Sequence, residues 1–106
     1  MSQVHSIIGI MAQKLDEAQI AQRLGALKGW SRDGGEIRKT FSFKNFYETM
    51  AFVNAIAYIA NQQDHHPDME VGYNKLVVKF STHSAGGLTA NDFDAAGKVD
   101  QLEDRG

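Results

Sequence analysis

A chain of 106 residues with 42% apolar and 23% charged side chains has the balance of one globular domain, residues 1–106, able to bury a single core. Its net charge of −2 and pI near 6.0 argue against a nucleic-acid surface, which carries a basic patch or a high pI. With no cysteine there are no disulfides, thiolate metal ligands or cysteine nucleophiles, and the cytoplasm is the expected compartment.

The apolar run Ser6–Ala12 is short, and no Lys or Arg precedes it, so it lacks the basic start of a signal peptide. No apolar run nears the roughly 18–20 residues that a membrane span needs. Residues 1–14 are read as a loosely ordered lead-in, and His5 within it is given no role. Asp16 with Gln19 forms a capping-box signal for a first helix, whose apolar stripe is Ile20, Leu24 and Leu27, with Gly29 placed to end it. Trp30 leads into a hairpin about Asp33-Gly34-Gly35. The strand that follows, Glu36 to Phe43, alternates: Ile37, Phe41 and Phe43 face one way, while Lys39 interrupts their row.

Asn45 and Glu48 start a second helix. From Phe46 to Ala60 its apolar positions are too dense for one stripe, which predicts a central, strongly buried helix running out at Asn61-Gln62-Gln63. Trp30, Phe41, Phe43 and Phe46 are read as core. A second hairpin pairs Met69–Tyr73 with Lys75–Thr82, and Leu76, Val78 and Phe80 share its buried face. After Gly86-Gly87, Thr89 caps a last helix through Leu102, with Asp92 at the reciprocal capping position. The order α-β-β-α-β-β-α predicts an α+β domain with a four-stranded antiparallel sheet and three helices packed on one face. The other sheet face is then solvated or covered, and a partner subunit could cover it or extend an edge.

Three of the four histidines lie in the stretch Asp64-His65-His66-Pro67 to Ser81-Thr82-His83-Ser84, and Asp92 follows. Each of these residues falls at the end of an element, where functional side chains sit on a rigid scaffold. Imidazoles beside a carboxylate suit proton transfer near neutral pH. They also suit a metal. Against the metal, adjacent residues in extended chain point apart, so His65 and His66 do not readily share one ion, and no His-x-x-x-His pair or cysteine is present. Each residue has a plainer reading too: His66 as a loop histidine beside Pro67, His83 as an exposed strand end, Asp92 as the capping partner of Thr89 alone. Taken together, their fixed spacing favours function.

The spacing is His-His-Pro, five residues, Tyr73, nine residues, His83, eight residues, Asp92, with Tyr73-Asn74-Lys75 and Gly87-Leu88-Thr89 between. In this the chain resembles the pterin-4a-carbinolamine dehydratase family over about residues 16–102. The metazoan member of that family doubles as the dimerisation cofactor of a homeodomain transcription factor. The resemblance implies dehydration of a 4a-hydroxytetrahydropterin to the quinonoid dihydropterin, without metal or cofactor, as a hydro-lyase of tetrahydrobiopterin recycling. It implies that His65, His66, His83 and Asp92 are catalytic. It implies pterin contacts from Asp64, His65, His66, Ser81, Thr82, His83 and Ser84. Within that set the expected division is His65 and His83 as the acid/base pair, His66 holding substrate, and Asp92 orienting or charge-stabilising a histidine. The expected assembly is a homodimer or homotetramer, with no direct nucleic-acid or membrane contact.

Two positions depart from the family pattern. Asn61 stands where a charged residue or histidine is usual, so a charged partner for a histidine is missing. Met69 replaces an aromatic two residues after the proline, and its thioether can still lie against a flat ring. A non-enzymatic protein-binding, assembly or transcriptional-cofactor role is the chief alternative. Action on another pterin, such as one of molybdopterin metabolism, is a further one.

Overall fold

A computed structural model describes residues 13–105. The expected lead-in lies outside the described residues up to position 12. The elements are α1 (Glu17–Gly25), β1 (Ser31–Asp33), β2 (Glu36–Ser42), α2 (Phe46–Gln63), β3 (Asp68–Val71), β4 (Lys75–Phe80) and α3 (Ala90–Arg105), with a 3-10 turn at His83–Ala85. The four strands form one antiparallel sheet in the order β1-β2-β4-β3. The fold is α+β, as the element order predicted. The hairpins β1–β2 and β3–β4 are local, but the β2–β4 pairing that joins them crosses α2 in the chain.

Capping fixes the helix starts. Asp16 accepts the Gln19 N–H at 2.8 Å while the Gln19 side chain accepts the Asp16 N–H at 2.9 Å, a complete capping box. Asn45 caps α2 by accepting the Glu48 N–H at 2.9 Å, but the Glu48 carboxylate reaches one residue further back, to the Lys44 N–H at 3.0 Å. α1 stops at Gly25, short of Gly29, because glycine is a poor residue with which to continue a helix.

The core lies between the sheet and the helices. Ile37 and Phe41 of β2, Leu76, Val78 and Phe80 of β4, Ile20 of α1, Ile56 of α2 and Phe93, Ala96 and Val99 of α3 are all buried. Each of the larger side chains contributes about 1.5–3 kcal/mol by leaving water. Trp30 packs edge-on to Phe41 with centroids 6.3 Å apart and donates its indole N–H to Asp100 at 3.1 Å. Lys39, which interrupts the apolar row of β2, reaches Asp100 at 2.9 Å and Glu103 at 3.2 Å on α3. Burial lowers its pKa, but hydrogen bonds to these carboxylates and their charges outweigh burial and hold it above the ordinary lysine range.

α2 is less buried than its composition predicts. Only Thr49, Ile56 and Ala60 are buried, while Tyr47 is 83% and Tyr58 67% exposed. A helix on a sheet covers one stripe, so the rest of a broad apolar surface faces outward in the single chain. Phe46 is likewise not core. It is the first residue of α2, is 48% exposed, and stacks on Tyr73 with centroids 6.5 Å apart. The sheet face away from the helices is polar, and Lys79 pairs there with Glu70 across β4 and β3.

Candidate active site

α2 ends three residues beyond Ala60, and that extension positions the first histidine. Asp64 takes the left-handed conformation, φ 51° and ψ 41°, the sole non-glycine residue with positive φ among those described. The His65 N–H then bonds the Ala60 carbonyl at 3.2 Å and the Asp64 N–H the Asn61 carbonyl at 3.4 Å. This six-to-one and five-to-two pattern is a Schellman cap, usually built on glycine. It turns the chain sharply, and Pro67 keeps His66 from resuming a helix.

Leaving that cap, the His65 ring stacks on Phe80 with centroids 5.9 Å apart and planes 11° from parallel. Its Nε2 lies 2.6 Å from Asp92 Oδ1. Asp92 is wholly buried, so every lone pair it presents needs a donor. Oδ2 accepts the Thr82 hydroxyl at 2.9 Å and the Thr89 backbone N–H at 2.9 Å. The second of these is the reciprocal capping bond anticipated from Thr89 and Asp92. Among the described residues no buried side-chain oxygen or nitrogen is left without a partner. Asp92 therefore serves both as a cap and as the partner of a histidine.

His66 is exposed, and its Nε2 lies 3.0 Å from Asn61 Oδ1. Asn61 stands within the last turn of α2, so the position that departs from the family pattern touches a histidine of the motif. Asp64 is exposed at the cap. His83 opens the 3-10 turn and is exposed, with Nε2 3.3 Å from Ser81 Oγ. Gly86, at φ 76°, closes that turn, and Thr82 bridges to Gly87 beyond it. Ser84 is exposed within the turn.

A cleft of about 340 Å³, at the small end for ligand sites, is lined by Ser81, Thr82, His83, Gly86, Gly87 and the hairpin residues Asp33, Gly35 and Glu36. His65, His66 and Asp92 do not line it. The structure thus joins His65, Asp92, Thr82 and Thr89 in one network and sets His83 with Ser81 at a cleft that Thr82 also lines. Sequence reasoning missed Phe80 as the surface under His65. It also missed Asp33 and Glu36, which line the same cleft as His83. The pairing Ile37↔Phe80 sets Glu36 beside Ser81, and no local signal specifies which strands pair. Among the described residues no group of three or more His, Asp or Glu side chains is arranged to hold a metal ion, and no helix is long and apolar enough to cross a membrane.

The family model for pterin 4 alpha carbinolamine dehydratase matches residues 13–102, which include every residue of this network and cleft. The chain belongs to that family. A Chromobacterium violaceum relative, provisionally named a pterin-4-alpha-carbinolamine dehydratase, is 58% identical over 88 residues, 83% of this chain and 82% of its own. A Sulfolobus acidocaldarius relative of the same provisional name is 50% identical over 90 residues, 85% of this chain and 99% of its own. Among solved structures, a transcriptional coactivator/pterin dehydratase from Brucella melitensis superposes with a TM-score of 0.82 at 33% identity, covering 85% of this chain and 98% of that one. A pterin dehydratase-like RuBisCO assembly factor of the alpha-carboxysome, at 22% identity and a TM-score of 0.57 over 69% of this chain and 84% of that one, shares the fold.

Proposed function

We propose that this protein is a pterin-4a-carbinolamine dehydratase that removes water from 4a-hydroxytetrahydrobiopterin by histidine acid/base catalysis, in the recycling of tetrahydrobiopterin. The observation that carries the reading is the His65–Asp92 pair at 2.6 Å in a chain whose family match spans residues 13–102. In the reaction the C4a–O bond breaks, N5 loses its proton, and the products are water and the quinonoid dihydropterin. One imidazolium gives its proton to the departing oxygen and one neutral imidazole takes the N5 proton. His65 and His83 are the pair in this reading. His66 holds the substrate, with Asp64, Ser81, Thr82 and Ser84 contributing to the pterin site. In this reading the pterin lies over the end of β4, next to both histidines. No metal or cofactor is invoked.

The test is a stopped-flow assay. Chemically generated 4a-hydroxytetrahydropterin is mixed with wild type and with a His65→Ala/His83→Ala variant while quinonoid product is followed by absorbance. The expected result is acceleration by wild type that is lost in the variant. No acceleration by folded wild type would reject the reading and move attention to Asn61 and to protein partners.

The assembly that goes with this reading is a homodimer or homotetramer in the cytoplasm. Support comes from the exposed Tyr47 and Tyr58 on α2 and from a chain without cysteine. Size-exclusion chromatography with light scattering is expected to give two or four times the 11.7 kDa chain mass, and a monomer at micromolar concentration would contradict it.

A further inference from the structure

The hydroxyls of Thr82 and Thr89 are buried, and their bonding leaves one consistent direction for every proton. A threonine hydroxyl has one proton to donate and lone pairs to accept. Thr82 Oγ1 gives its proton to Asp92 Oδ2 at 2.9 Å. The contact of 2.9 Å between Thr82 Oγ1 and Thr89 Oγ1 must then carry the Thr89 proton. Thr89 Oγ1 in turn accepts the Asn91 N–H at 3.2 Å. Thr89 adds its own N–H to the same Oδ2 at 2.9 Å. Asp92 Oδ2 is therefore saturated by donors that cannot reverse, and such chains polarise in one sense. Oδ1 is the acceptor left for His65 Nε2, 2.6 Å away.

We infer that Asp92, held by the Thr89–Thr82 relay, fixes neutral His65 as its Nε2–H tautomer, so that Nδ1 is the nitrogen that exchanges protons with substrate, and that Thr82 is a positioning residue acting through Asp92. The hydrogen bond made by one ring nitrogen decides which form the other takes. Nδ1 has no hydrogen-bond partner among the described residues, and the His65 side chain is 14% exposed. The Thr82 side chain is buried and its proton is committed, which leaves it none to give a pterin. The proton-exchange part rests on the proposed dehydratase reading. The tautomer part holds for the free protein.

The experiment uses the whole chain labelled with 15N-histidine, with long-range 1H–15N correlation spectra recorded at a pH where the imidazoles are neutral. Wild type is expected to show a protonated Nε2 and an unprotonated Nδ1 for His65. Thr82→Val, which keeps the shape and removes the hydroxyl, is expected to leave the Nε2–H tautomer in place, because ionised Asp92 only accepts, but to move the His65 Nε2–H resonance as Asp92 loses a donor. It should lower kcat about 10-fold, the kinetic equivalent of one hydrogen bond to a charged group, with KM little changed. Thr82→Ser is expected to restore both readouts. A wild-type spectrum with Nδ1 protonated overturns the inference and needs no variant to fold. A folded Thr82→Val protein whose His65 Nε2–H resonance and kcat both match wild type, or a folded Thr82→Ser protein that restores neither, overturns the relay. If the spectra follow expectation but no protein turns over carbinolamine, the relay stands and the dehydratase reading alone fails.

Discussion

His65 and His83 both lie near the end of β4, and their surroundings differ sharply. His65 lies on Phe80 and is tied to a wholly buried Asp92 whose remaining lone pairs are filled by Thr82 and Thr89. His83 stands exposed on a 3-10 turn closed by Gly86, next to an open cleft, with one contact of 3.3 Å to Ser81. The contrast teaches that two imidazoles of one proposed acid/base pair can be held by different physics. One belongs to the fold, so disturbing it disturbs both stability and chemistry. The other is borne by the fold, so it can be removed without cost to folding.

The sharpest way to break this contrast is Asp92→Asn. The amide can still accept from Thr82 and Thr89, but it turns an N–H₂ towards His65 Nε2 and demands the opposite tautomer. Turnover is expected to fall about 10³-fold, within the range of wrong-tautomer and lost acid/base effects. Denaturant melts should show a loss of about 1–3 kcal/mol, because a buried charge-assisted network has been altered. An unchanged rate would remove Asp92 from the mechanism.

His83→Ala gives the other side of the comparison. Turnover of bound pterin is expected to fall about 10²-fold while pterin binding changes little. Its unfolding free energy should stay within about 0.5 kcal/mol of wild type, as for an exposed position. A collapse of binding with normal turnover of bound substrate would refute the acid/base role.

Lys39→Met separates burial from chemistry, since Lys39 is a second charge on the helix-covered face but far along the chain from the histidines. It is expected to cost about 1 kcal/mol in stability and nothing in kcat. The sign with pH follows from its raised pKa. A group that binds its proton more tightly when folded gives its full stabilisation below its unfolded pKa and loses it as pH climbs through the folded one. The wild-type advantage should therefore be complete at neutral pH and shrink only above the ordinary lysine pKa of about 10.4, which melts of both proteins across alkaline pH would check.

The smallest effects belong to Asp64, at the cap that launches His65. Asp64→Ala puts a Cβ without a polar group into the left-handed region and is expected to cost about 1 kcal/mol, whereas Asp64→Gly should be nearly neutral in stability. If Asp64 also contacts pterin, the glycine variant will raise KM with folding intact. An Ala variant as stable as the Gly variant would argue against the cap geometry.

The amino-acid sequence by itself determined the local devices. The Asp16 and Asn45 caps, the Asp33-Gly34-Gly35 turn, the alternation in β4 and the Thr89–Asp92 capping bond are all contacts between near neighbours, and near neighbours are readable because their geometry is set by one turn of chain. The motif from His65 to Asp92 was legible for the same reason, as a spacing of unusual residue types. Tertiary structure decided what those residues do to one another. The exposure of Phe46 and of much of α2 depends on which stripe the sheet covers. The joining of His65 to Asp92 spans 27 positions and depends on the Schellman turn at Asp64 meeting the start of α3. The setting of His83 follows from the chain leaving β4 at Phe80 and turning into the 3-10 segment His83–Ala85, which leaves His83 exposed at the cleft. Hydrophobic burial drives such long-range pairing without direction, so no short stretch of sequence records its outcome.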